Sequence, residues 1–425
     1  MVGGGWAGIA AAVSATEAGH HVTLMEMAPQ LGGRARRVDA DAQPALDNGQ
    51  HILIGAYSQT LALMRRVGAD PEALLRRLPL ALVDPAGRGL RLPAGAPVPA
   101  FVRAVLGHRD WSVAERLRLL GSALRWRLRG FEADEQATVA ELTKNLSPRV
   151  RAGLIEPLCV AALNTPASHA SARVFLRVLR DALFSGPGSA DLLLPRVHLS
   201  ALLPEPAAHW LAAAGASLRY TARARALTQD EHRWSIDGEV YDAVVLACSA
   251  AEAARLTAAA APAWSSQAAS FDYEPIVTVY LRSRGARLAQ PMTALASGAD
   301  APAQFVFDLG AIDGGGTRDG VFAFVVSGAR AWVELGLEAT AAATLRQART
   351  AFGADTWREP PQLLRSLAER RATFLCAPAL RRPPSAVAVN LAAAGDYIDG
   401  PYPATLEGAV RSGTAAVTAL SISGS

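Results

Sequence analysis

Lysine is almost absent from this sequence of 425 residues, in which Lys144 is the single example. Chemistry that needs a buried lysine therefore has one candidate. The three cysteines, Cys159, Cys248 and Cys376, match neither a metal-binding spacing nor a disulfide framework, and they favour a reducing compartment. No run approaches the roughly 20 uninterrupted apolar residues of a membrane-spanning helix. The N-terminus also lacks the basic-then-apolar pattern of a secretory signal.

The charge balance and the length narrow the class of protein further. Basic and acidic residues nearly cancel, to a net charge of +4, which is too small to indicate a nucleic-acid partner. Hydrophobic residues make up 51 % of the chain, so it can bury a large core, and its length predicts two or three lobes. We expect a cytoplasmic protein that binds no nucleic acid.

The N-terminus carries the pattern G-x-G-x-x-G at Gly3, Gly5 and Gly8. Small residues over 9–18 predict a helix directly after it, and Gly19 predicts the end of that helix. The glycines allow a tight turn and a close approach of the backbone to a pyrophosphate, while the N-terminus of the helix supplies positive potential. The pattern predicts a dinucleotide site.

An acidic residue completes this motif. The strand predicted over 21–26 ends at Glu26, where a carboxylate can accept hydrogen bonds from both ribose hydroxyls. Only Met1 and Val2 precede the first glycine, although a glycine loop of this kind follows a complete central strand. We therefore expect the natural start to lie upstream of Met1.

A second glycine motif follows the acidic strand end. The stretch LGGRAR, residues 31–36, resembles the glycine–arginine element of FAD-dependent amine oxidases and carotenoid-type desaturases. The resemblance implies that FAD is the cofactor. It also implies that Gly32, Gly33 and Arg34 lie near the flavin and the pyrophosphate.

The C-terminal part contains a third element of the same superfamily. The stretch VAVNLAAAGDYIDGPYPATLEGAVRSG reads as a strand, the pair Gly395–Asp396, and a helix that begins near Ala404. The resemblance implies that Asp396 contacts the ribityl–phosphate part of FAD. The N-terminus of the helix, at Thr405 and Leu406, would then point at the isoalloxazine.

The fold class implied is α/β, with a Rossmann-like FAD-binding lobe and a substrate lobe of mixed sheet and helices. The region 98–190 is helical in pattern, whereas 270–335 alternates as strands do. The FAD-binding lobe is expected in three parts, separated by a helical cap and by the sheet and helices of the substrate lobe. In chain order the expected boundaries are 1–90 (FAD), 91–190 (cap), 191–265 (FAD), 266–380 (sheet and helices) and 381–425 (FAD).

One predicted cap helix is amphipathic. Apolar residues recur at helical spacing at Val113, Leu117, Leu120, Leu124, Leu128 and Phe131. Arginines supply a basic side at Arg116, Arg118, Arg125, Arg127 and Arg129. With Trp111 and Trp126 as interfacial residues, this composition suits a helix lying on an anionic membrane surface. The alternative is a cap helix whose apolar stripe packs inward and whose arginines are solvated.

Four stretches together carry a more specific resemblance: GGGWAG, DNGQHILIGAY, LNTP and GPYPATLEGAVRSG. They are similar to the squalene-associated FAD-dependent desaturase family, which are hydroxysqualene dehydroxylases of squalene and hopanoid biosynthesis. The alternatives are a carotenoid or phytoene-type desaturase and, from another class, a non-catalytic lipid-carrying protein of the same fold. Amine oxidation is disfavoured, because Lys144 lies in the helical insertion and Thr405 stands where a second aromatic residue is expected.

The stretch DNGQH supplies the catalytic candidates. The implied reaction removes the hydroxyl group of an allylic alcohol, which needs an acid because hydroxide is a poor leaving group. Asp47 and His51 are the expected acid and its partner, and burial would favour a protonated Asp47. Asn48 and Gln50 could orient water or the hydroxyl. The alternative is that Asp47 and His51 hold the turn by local hydrogen bonds.

The expected substrate is a triterpene-type hydrocarbon, and Tyr57, Tyr397 and Tyr402 are further candidates for lining its site. Burying such a chain from water at about 0.8 kcal/mol per CH₂ would exceed the roughly 18 to 21 kcal/mol limit of real complexes. A membrane source avoids this imbalance. We therefore expect a peripheral protein on the inner face of the membrane, and the electron donor for the flavin is left open.

Overall fold

The structure is a computed structural model that describes residues 1–39, 44–230, 233–353 and 355–420. Two predicted features extend beyond this part of the chain. The turn of a hairpin expected near 217–236 includes 231–232, and the last FAD-binding part includes 421–425; these residues lie outside the described ones.

The first third of the chain passes from the α/β lobe into a helical cap. Its first elements are α1 (Trp6–Glu17), β1 (Thr23–Met25), β2 (Leu53–Ile54), α2 (Ser58–Arg66), α3 (Pro71–Leu74), β3 (Leu75–Leu78), β4 (Ala81–Val83) and β5 (Gly89–Arg91). The cap consists of α4 (Pro97–Leu106), α5 (Val113–Leu128), α6 (Val139–Leu142), α7 (Pro148–Val150), a π-helical turn (Arg151–Ile155), α8 (Glu156–Leu163) and α9 (Ala172–Phe184). The helical pattern predicted over 98–190 is confirmed.

The chain then returns to the α/β lobe. This part contains β6 (Leu192–Pro195), α10 (Leu199–Leu202), α11 (Pro204–Ala213), β7 (Ser217–Arg219), β8 (Leu227–Asp230), β9 (Arg233–Ile236), β10 (Glu239–Tyr241), β11 (Val244–Leu246), α12 (Ala250–Thr257) and α13 (Pro262–Ala269). The substrate lobe contains β12 (Tyr273–Arg282), β13 (Met292–Ala294), β14 (Phe305–Asp308), α14 (Leu309–Asp313), β15 (Val321–Val326), α15 (Arg330–Leu335), α16 (Leu337–Ala351) and β16 (Gln362–Phe374). The last elements are β17 (Ala386–Ala388), β18 (Leu391–Ala393) and α17 (Leu406–Thr418).

The central parallel sheet joins segments that are far apart in the chain. Strand β7 pairs with β1, and β11 pairs with β18, in both cases in parallel. Val2 connects the two pairs through parallel bridges to Met25 and Leu246. Helices α1 and α17 pack so closely that a Cβ added at Gly413 would lie 2.1 Å from the Ala7 carbonyl oxygen. The predicted α/β fold with a Rossmann-like lobe is confirmed.

The substrate lobe is built on an antiparallel sheet with the strand order β13–β14–β15–β12–β16. Alternate residues of β12 serve its two faces, as strand geometry requires. Val277 and Val279 belong to an apolar core shared with α16. On the opposite face, the Tyr280 hydroxyl donates to the carbonyl oxygen of Asp47 at 2.9 Å. This sheet therefore forms a wall against the DNGQH segment.

The cap helix α5 packs through the side opposite to its apolar stripe. Leu119 and Ser122 are its buried residues, whereas Val113 and Leu128 are exposed, so the alternative of an inward-packed stripe is wrong. The expectation of an interfacial Trp111 is also wrong. This ring is buried and stacks on His108 with ring centroids 3.8 Å apart. Among the described helices, none is long and apolar enough to cross a bilayer.

Candidate functional site

The first glycine loop connects the central sheet to α1 and has no room for side chains. Gly3 has φ +101°, and a Cβ there would lie 2.7 Å from the Ala247 carbonyl oxygen. A Cβ at Gly8 would lie 1.9 Å from the Gly3 carbonyl oxygen. Gly5 is the N-cap of α1 and provides no side-chain hydrogen bond, so the N–H groups of the first turn are available to an anion. The loop has the geometry of a phosphate cradle.

Glu26 lies at the end of β1, directly beside this loop. Its two carboxylate oxygens accept hydrogen bonds from the Gly4 amide at 2.6 Å and the Ala28 amide at 2.8 Å. These bonds hold the buried carboxylate in one orientation. Each carboxylate oxygen can accept more than one hydrogen bond, so ribose hydroxyls can still be accepted at this place.

The second glycine motif lies against the first. Gly32 forms a parallel bridge with Gly5, and a Cβ at Gly33, where φ is +59°, would lie 3.1 Å from the Gly5 Cα. Arg34 extends from this contact to Asp396, with 2.6 Å between Nη2 and Oδ2. The structure therefore brings the first, second and third sequence motifs together.

The third motif turns from β18 into α17. Gly395 donates its amide to the Ser412 hydroxyl at 3.1 Å, and a Cβ there would lie 2.5 Å from the Tyr397 ring. Thr405 is the N-cap of α17 and accepts from the Gly408 amide at 3.0 Å. Leu406 is the first helical residue, so the helix begins two residues after the predicted position. Its N-terminus faces the other two motifs across the sheet.

One side chain of the third motif has a polar atom without a partner. The Tyr397 hydroxyl is buried and, within the described part of the chain, makes no hydrogen bond. A buried unpaired hydroxyl costs free energy that a ligand atom can recover. Together with the phosphate cradle and Glu26, this hydroxyl fits a site that receives a large polar cofactor.

Asp47 is buried, with 5 % of its surface exposed. Its Oδ1 accepts from the Leu199 amide at the start of α10 at 2.8 Å. Burial raises the pKa of the Asp47 carboxyl from 3.8 to about 7, and the Leu199 hydrogen bond and the charges of Arg318 and Arg37 oppose this rise. The carboxyl therefore carries a proton over part of the neutral pH range.

Asn48 and His51 point in another direction. The Asn48 amide nitrogen donates to the Glu369 carboxylate at 3.0 Å and to the Arg34 carbonyl oxygen at 3.2 Å. The His51 Nδ1 lies 2.9 Å from the Gly49 carbonyl oxygen. Desolvation lowers the pKa of His51, and the charge of Arg34 acts in the same direction. At neutral pH His51 is therefore uncharged, with Nδ1 as the donor to Gly49.

The structure places Asp47 and His51 in one segment without joining them. The hydrogen bonds of the described residues connect Asp47 to Leu199 and His51 to Gly49. Gln50 adds a long contact of 3.4 Å from its amide nitrogen to the His51 carbonyl oxygen. The expected direct pairing of the acid and its partner is therefore not observed, because the backbone turns between them.

Tyr57 and Tyr402 lie near the N-terminus of α17. A hydrogen bond links Tyr57 to the Thr405 side chain, although burial raises the pKa of Tyr57 above its ordinary value. The Tyr402 ring lies between two guanidinium groups, with the Arg177 and Arg411 carbons 5.4 and 5.3 Å from its centroid. These side chains line a cavity of about 380 Å³.

Several residues of this region were not identified from the sequence. Asp181 lines the same cavity and pairs with Arg177 at 3.1 Å. Glu407 is fully buried and accepts from the amides of Gln59 and Thr60 at 3.1 and 2.9 Å. An acidic residue in the first turn of the last helix was the only sequence signal for Glu407. Arginine and aspartate four residues apart on α9 was the signal for the other pair.

Comparison with known proteins agrees with this geometry. A family model described as flavin containing amine oxidoreductase matches residues 6–421. Hydroxysqualene dehydroxylase of Rhodopseudomonas palustris is 31 % identical to this chain, over 98 % of the chain and 96 % of that protein. A zeta-carotene desaturase of Zea mays is 33 % identical, but over 24 % of this chain and 19 % of that protein.

Among solved structures, an oxidoreductase from Methanosarcina mazei has a TM-score of 0.73 and 14 % identity, with 98 % of both chains covered. This likeness shows the fold. The family match includes the glycine loops, both lobes and α17, and it makes FAD the cofactor. The chain is an oxidoreductase that belongs to the flavin-containing amine oxidoreductase family.

Proposed function

We propose that this protein reductively removes the hydroxyl group of hydroxysqualene to form squalene. The observation that carries the proposal is the full-length similarity to a hydroxysqualene dehydroxylase. The desaturase similarity, in contrast, is limited to about a quarter of the chain. The extent of similarity therefore favours dehydroxylation over desaturation, which is the second candidate.

The three motifs are proposed to hold FAD. Gly3, Gly5 and Gly8 would cradle the pyrophosphate at the N-terminus of α1, and Glu26 would accept from the ribose hydroxyls. The second and third motifs would hold the remaining parts of the cofactor, through Gly33, Arg34, Gly395, Asp396, Thr405 and Leu406. The closed packing at Gly3 and Gly8 and the pre-set orientation of Glu26 support this assignment.

The reaction replaces a C–O bond by a C–H bond and releases water. When bound and reduced, FAD supplies the hydride for the new C–H bond. The departing oxygen needs a proton, and a carboxyl with a pKa of about 7 can donate one near neutral pH. We propose Asp47 as this donor. Its burial, which keeps water away, is the physical cause of the raised pKa.

His51 is proposed to orient the substrate. Its Nδ1 is engaged with the Gly49 carbonyl, so the uncharged ring presents Nε2 as a hydrogen-bond acceptor. Such an acceptor can hold the O–H group of an alcohol. Asn48 supports this role, because its bonds to Arg34 and Glu369 attach the segment to the flavin side of the site.

Two other activities fit the residues less well. Lysine-assisted amine oxidation needs a lysine beside the flavin, but the single lysine, Lys144, is exposed in the cap between α6 and α7. A non-catalytic lipid carrier has no need for the phosphate cradle, the ribose-oriented Glu26 and the Arg34–Asp396 pair. A protein that contains no flavin after reconstitution with FAD would return the lipid carrier to first place.

The test is anaerobic incubation of the reduced holoprotein with hydroxysqualene, followed by mass analysis of the product. We expect squalene, one oxygen atom lighter, and no product with oxidised flavin. Asp47→Asn should retain FAD and lose about 10²- to 10⁴-fold in single-turnover rate, the usual contribution of a general acid. His51→Gln should lose less. Asp308→Asn, which alters another buried carboxyl in the substrate lobe, is the matched control.

Three outcomes separate the possibilities. Squalene formation at near wild-type rate by both variants would show that DNGQH is a structural turn and that the acid lies elsewhere; Tyr402 and Tyr57 would then be tested. Oxidation of a carotene precursor by the oxidised protein would favour the desaturase. No change in hydroxysqualene under reducing conditions would contradict the proposed reaction.

A further inference from the structure

The apolar stripe of α5 points away from the protein. Val113, Leu117, Leu124 and Leu128 are 67 %, 59 %, 54 % and 77 % exposed. Single exposed hydrophobic side chains are common on soluble proteins, but a continuous row of them marks an interaction surface. Because Leu119 and Ser122 already bury the opposite side of the helix, the row is not needed to hold the cap together.

The surface continues onto the neighbouring helices. Leu106, at the end of α4, is 48 % exposed, and Phe184, at the end of α9, is 38 % exposed. The Phe131 ring lies 5.1 Å from the Phe184 ring, and the Arg127 guanidinium carbon lies 5.3 Å from the same ring. We define the docking face as the α5 stripe together with Leu106 and Phe184.

The charges along the docking face have one dominant sign. Residues 112–131 contain five arginines and one glutamate. That glutamate, Glu115, is held by Ser112 in a capping box and accepts from the Ser147 hydroxyl at 2.6 Å. Arg118, Arg125, Arg127 and Arg129 are exposed. An apolar row bordered by arginines is complementary to lipid headgroups of negative charge above an apolar interior.

The same arrangement opposes pairing of two copies of this face. In a two-fold symmetric dimer the same patch meets itself, so arginines would lie against arginines. Like charges brought together in this way disfavour association. An anionic bilayer removes the repulsion and provides an apolar phase for the leucines.

Helix α9 connects the docking face to the interior. Phe184 belongs to the face, whereas Arg177, Asp181 and Ser185 line the cavity of about 380 Å³ that reaches Tyr402. The face and the cavity therefore lie at the two sides of one helix end. A hydrophobic molecule leaving a membrane at the face would meet this opening next.

We propose that the docking face binds the surface of an anionic lipid bilayer, with the leucines of α5 inserted among the lipids. The binding is a property of the surface and does not depend on the identity of the substrate. The reaction of detergent-dispersed hydroxysqualene is therefore expected to be unchanged in variants of this face, so failure of one proposal is distinguishable from failure of the other.

The experiment is sedimentation of the holoprotein with vesicles of phosphatidylcholine, with and without phosphatidylglycerol. We expect Leu117→Ser/Leu124→Ser/Leu128→Ser to lose most of the binding. Leu335→Ser, at a site that is 65 % exposed on α15, should retain it. FAD content and circular dichroism should be equal for all variants, since the altered side chains lie on the surface.

Charge variants test the second part of the proposal. Replacing Arg125, Arg127 and Arg129 by glutamine should weaken binding to anionic vesicles about 100-fold at low salt, at about fivefold per charge. Arg346→Gln/Arg349→Gln on α16 is the matched control. Wild-type binding that is equal with and without phosphatidylglycerol, or unchanged in the leucine variant, would overturn the proposal. A wild-type dimer that the leucine variant converts to monomers would identify the face as a protein interface instead.

Discussion

Replacement of Asp47 by asparagine should make the protein more stable at high pH than at low pH, relative to wild type. The folded carboxyl has a pKa of about 7 because of burial, compared with an ordinary value of 3.8. The wild-type protein thus keeps its full stability below pH 3.8 and loses part of it as the pH rises through 7, because the unfolded chain ionises first. Asparagine cannot ionise and still accepts from Leu199.

The size of the effect follows from the two pKa values. The rise from 3.8 to about 7 corresponds to about 4 kcal/mol of unfolding free energy, at roughly 1.4 kcal/mol for each tenfold change in proton affinity. Between pH 5 and pH 8, the unfolding free energy of Asp47→Asn should therefore gain about 2 to 3 kcal/mol on that of wild type.

Urea unfolding followed by circular dichroism at pH 5, 6, 7 and 8 measures this difference. Asp300→Asn, at an exposed position, controls for the substitution itself. Asp308→Asn should change in the same direction as Asp47→Asn, because burial also raises the pKa of Asp308. A difference between wild type and Asp47→Asn that is constant with pH, or that favours wild type as the pH rises, would refute the assignment of a raised pKa.

Three further substitutions test the frame of the site. Gly8→Val should abolish FAD binding and destabilise the fold by about 1 to 3 kcal/mol or more, because its side chain would overlap the Gly3 carbonyl; retained flavin absorbance would contradict this. Arg34→Gln should raise the FAD dissociation constant about tenfold or more by removing the ion pair with Asp396, as measured by flavin fluorescence. Asn164→Ala should lower the unfolding free energy by about 1 to 3 kcal/mol in urea titration, whereas Asn164→Gly, which suits the same left-handed backbone, should show whether lost hydrogen bonds cause the effect.

The roles of the LNTP motif illustrate how a recognised pattern can have a structural explanation. Asn164 ends α8 in a left-handed conformation. Its side chain donates to the Glu274 carbonyl oxygen at 3.1 Å and accepts from the Gly328 amide at 2.8 Å. The motif therefore attaches the cap to the substrate sheet. The sequence marks such a residue, but its partners are more than 100 residues away.

Local spacing was sufficient for the nucleotide-binding end of the molecule. The order of glycines, helix, strand and terminal acid predicted α1, β1 and Glu26, with differences of a few residues at the element ends. The Gly–Asp pair and the following helix likewise predicted the start of α17 to within two residues. These features depend on turns and caps, in which each residue acts on neighbours only a few positions away.

The DNGQH segment needed the tertiary structure. Its residues predicted a polar turn, but not that Asp47 faces α10 while Asn48 faces Arg34 and Glu369. The Leu199 amide that holds Asp47 is 152 positions away in the chain. The raised pKa of Asp47 is caused mainly by burial, and burial is set by whichever segments pack around it.

Helix α5 shows the same division most clearly. Its periodicity determined which residues share a face: Val113, Leu117, Leu124 and Leu128 lie along one side of a helix whatever surrounds it. Whether that side packs inward or meets the solvent depended on where α4 and α9 lie, and they cover the side that carries Leu119. Sequence by itself therefore determined the local motifs and the faces of the elements. Only the tertiary structure decided what each face contacts, because those contacts come from distant parts of the chain.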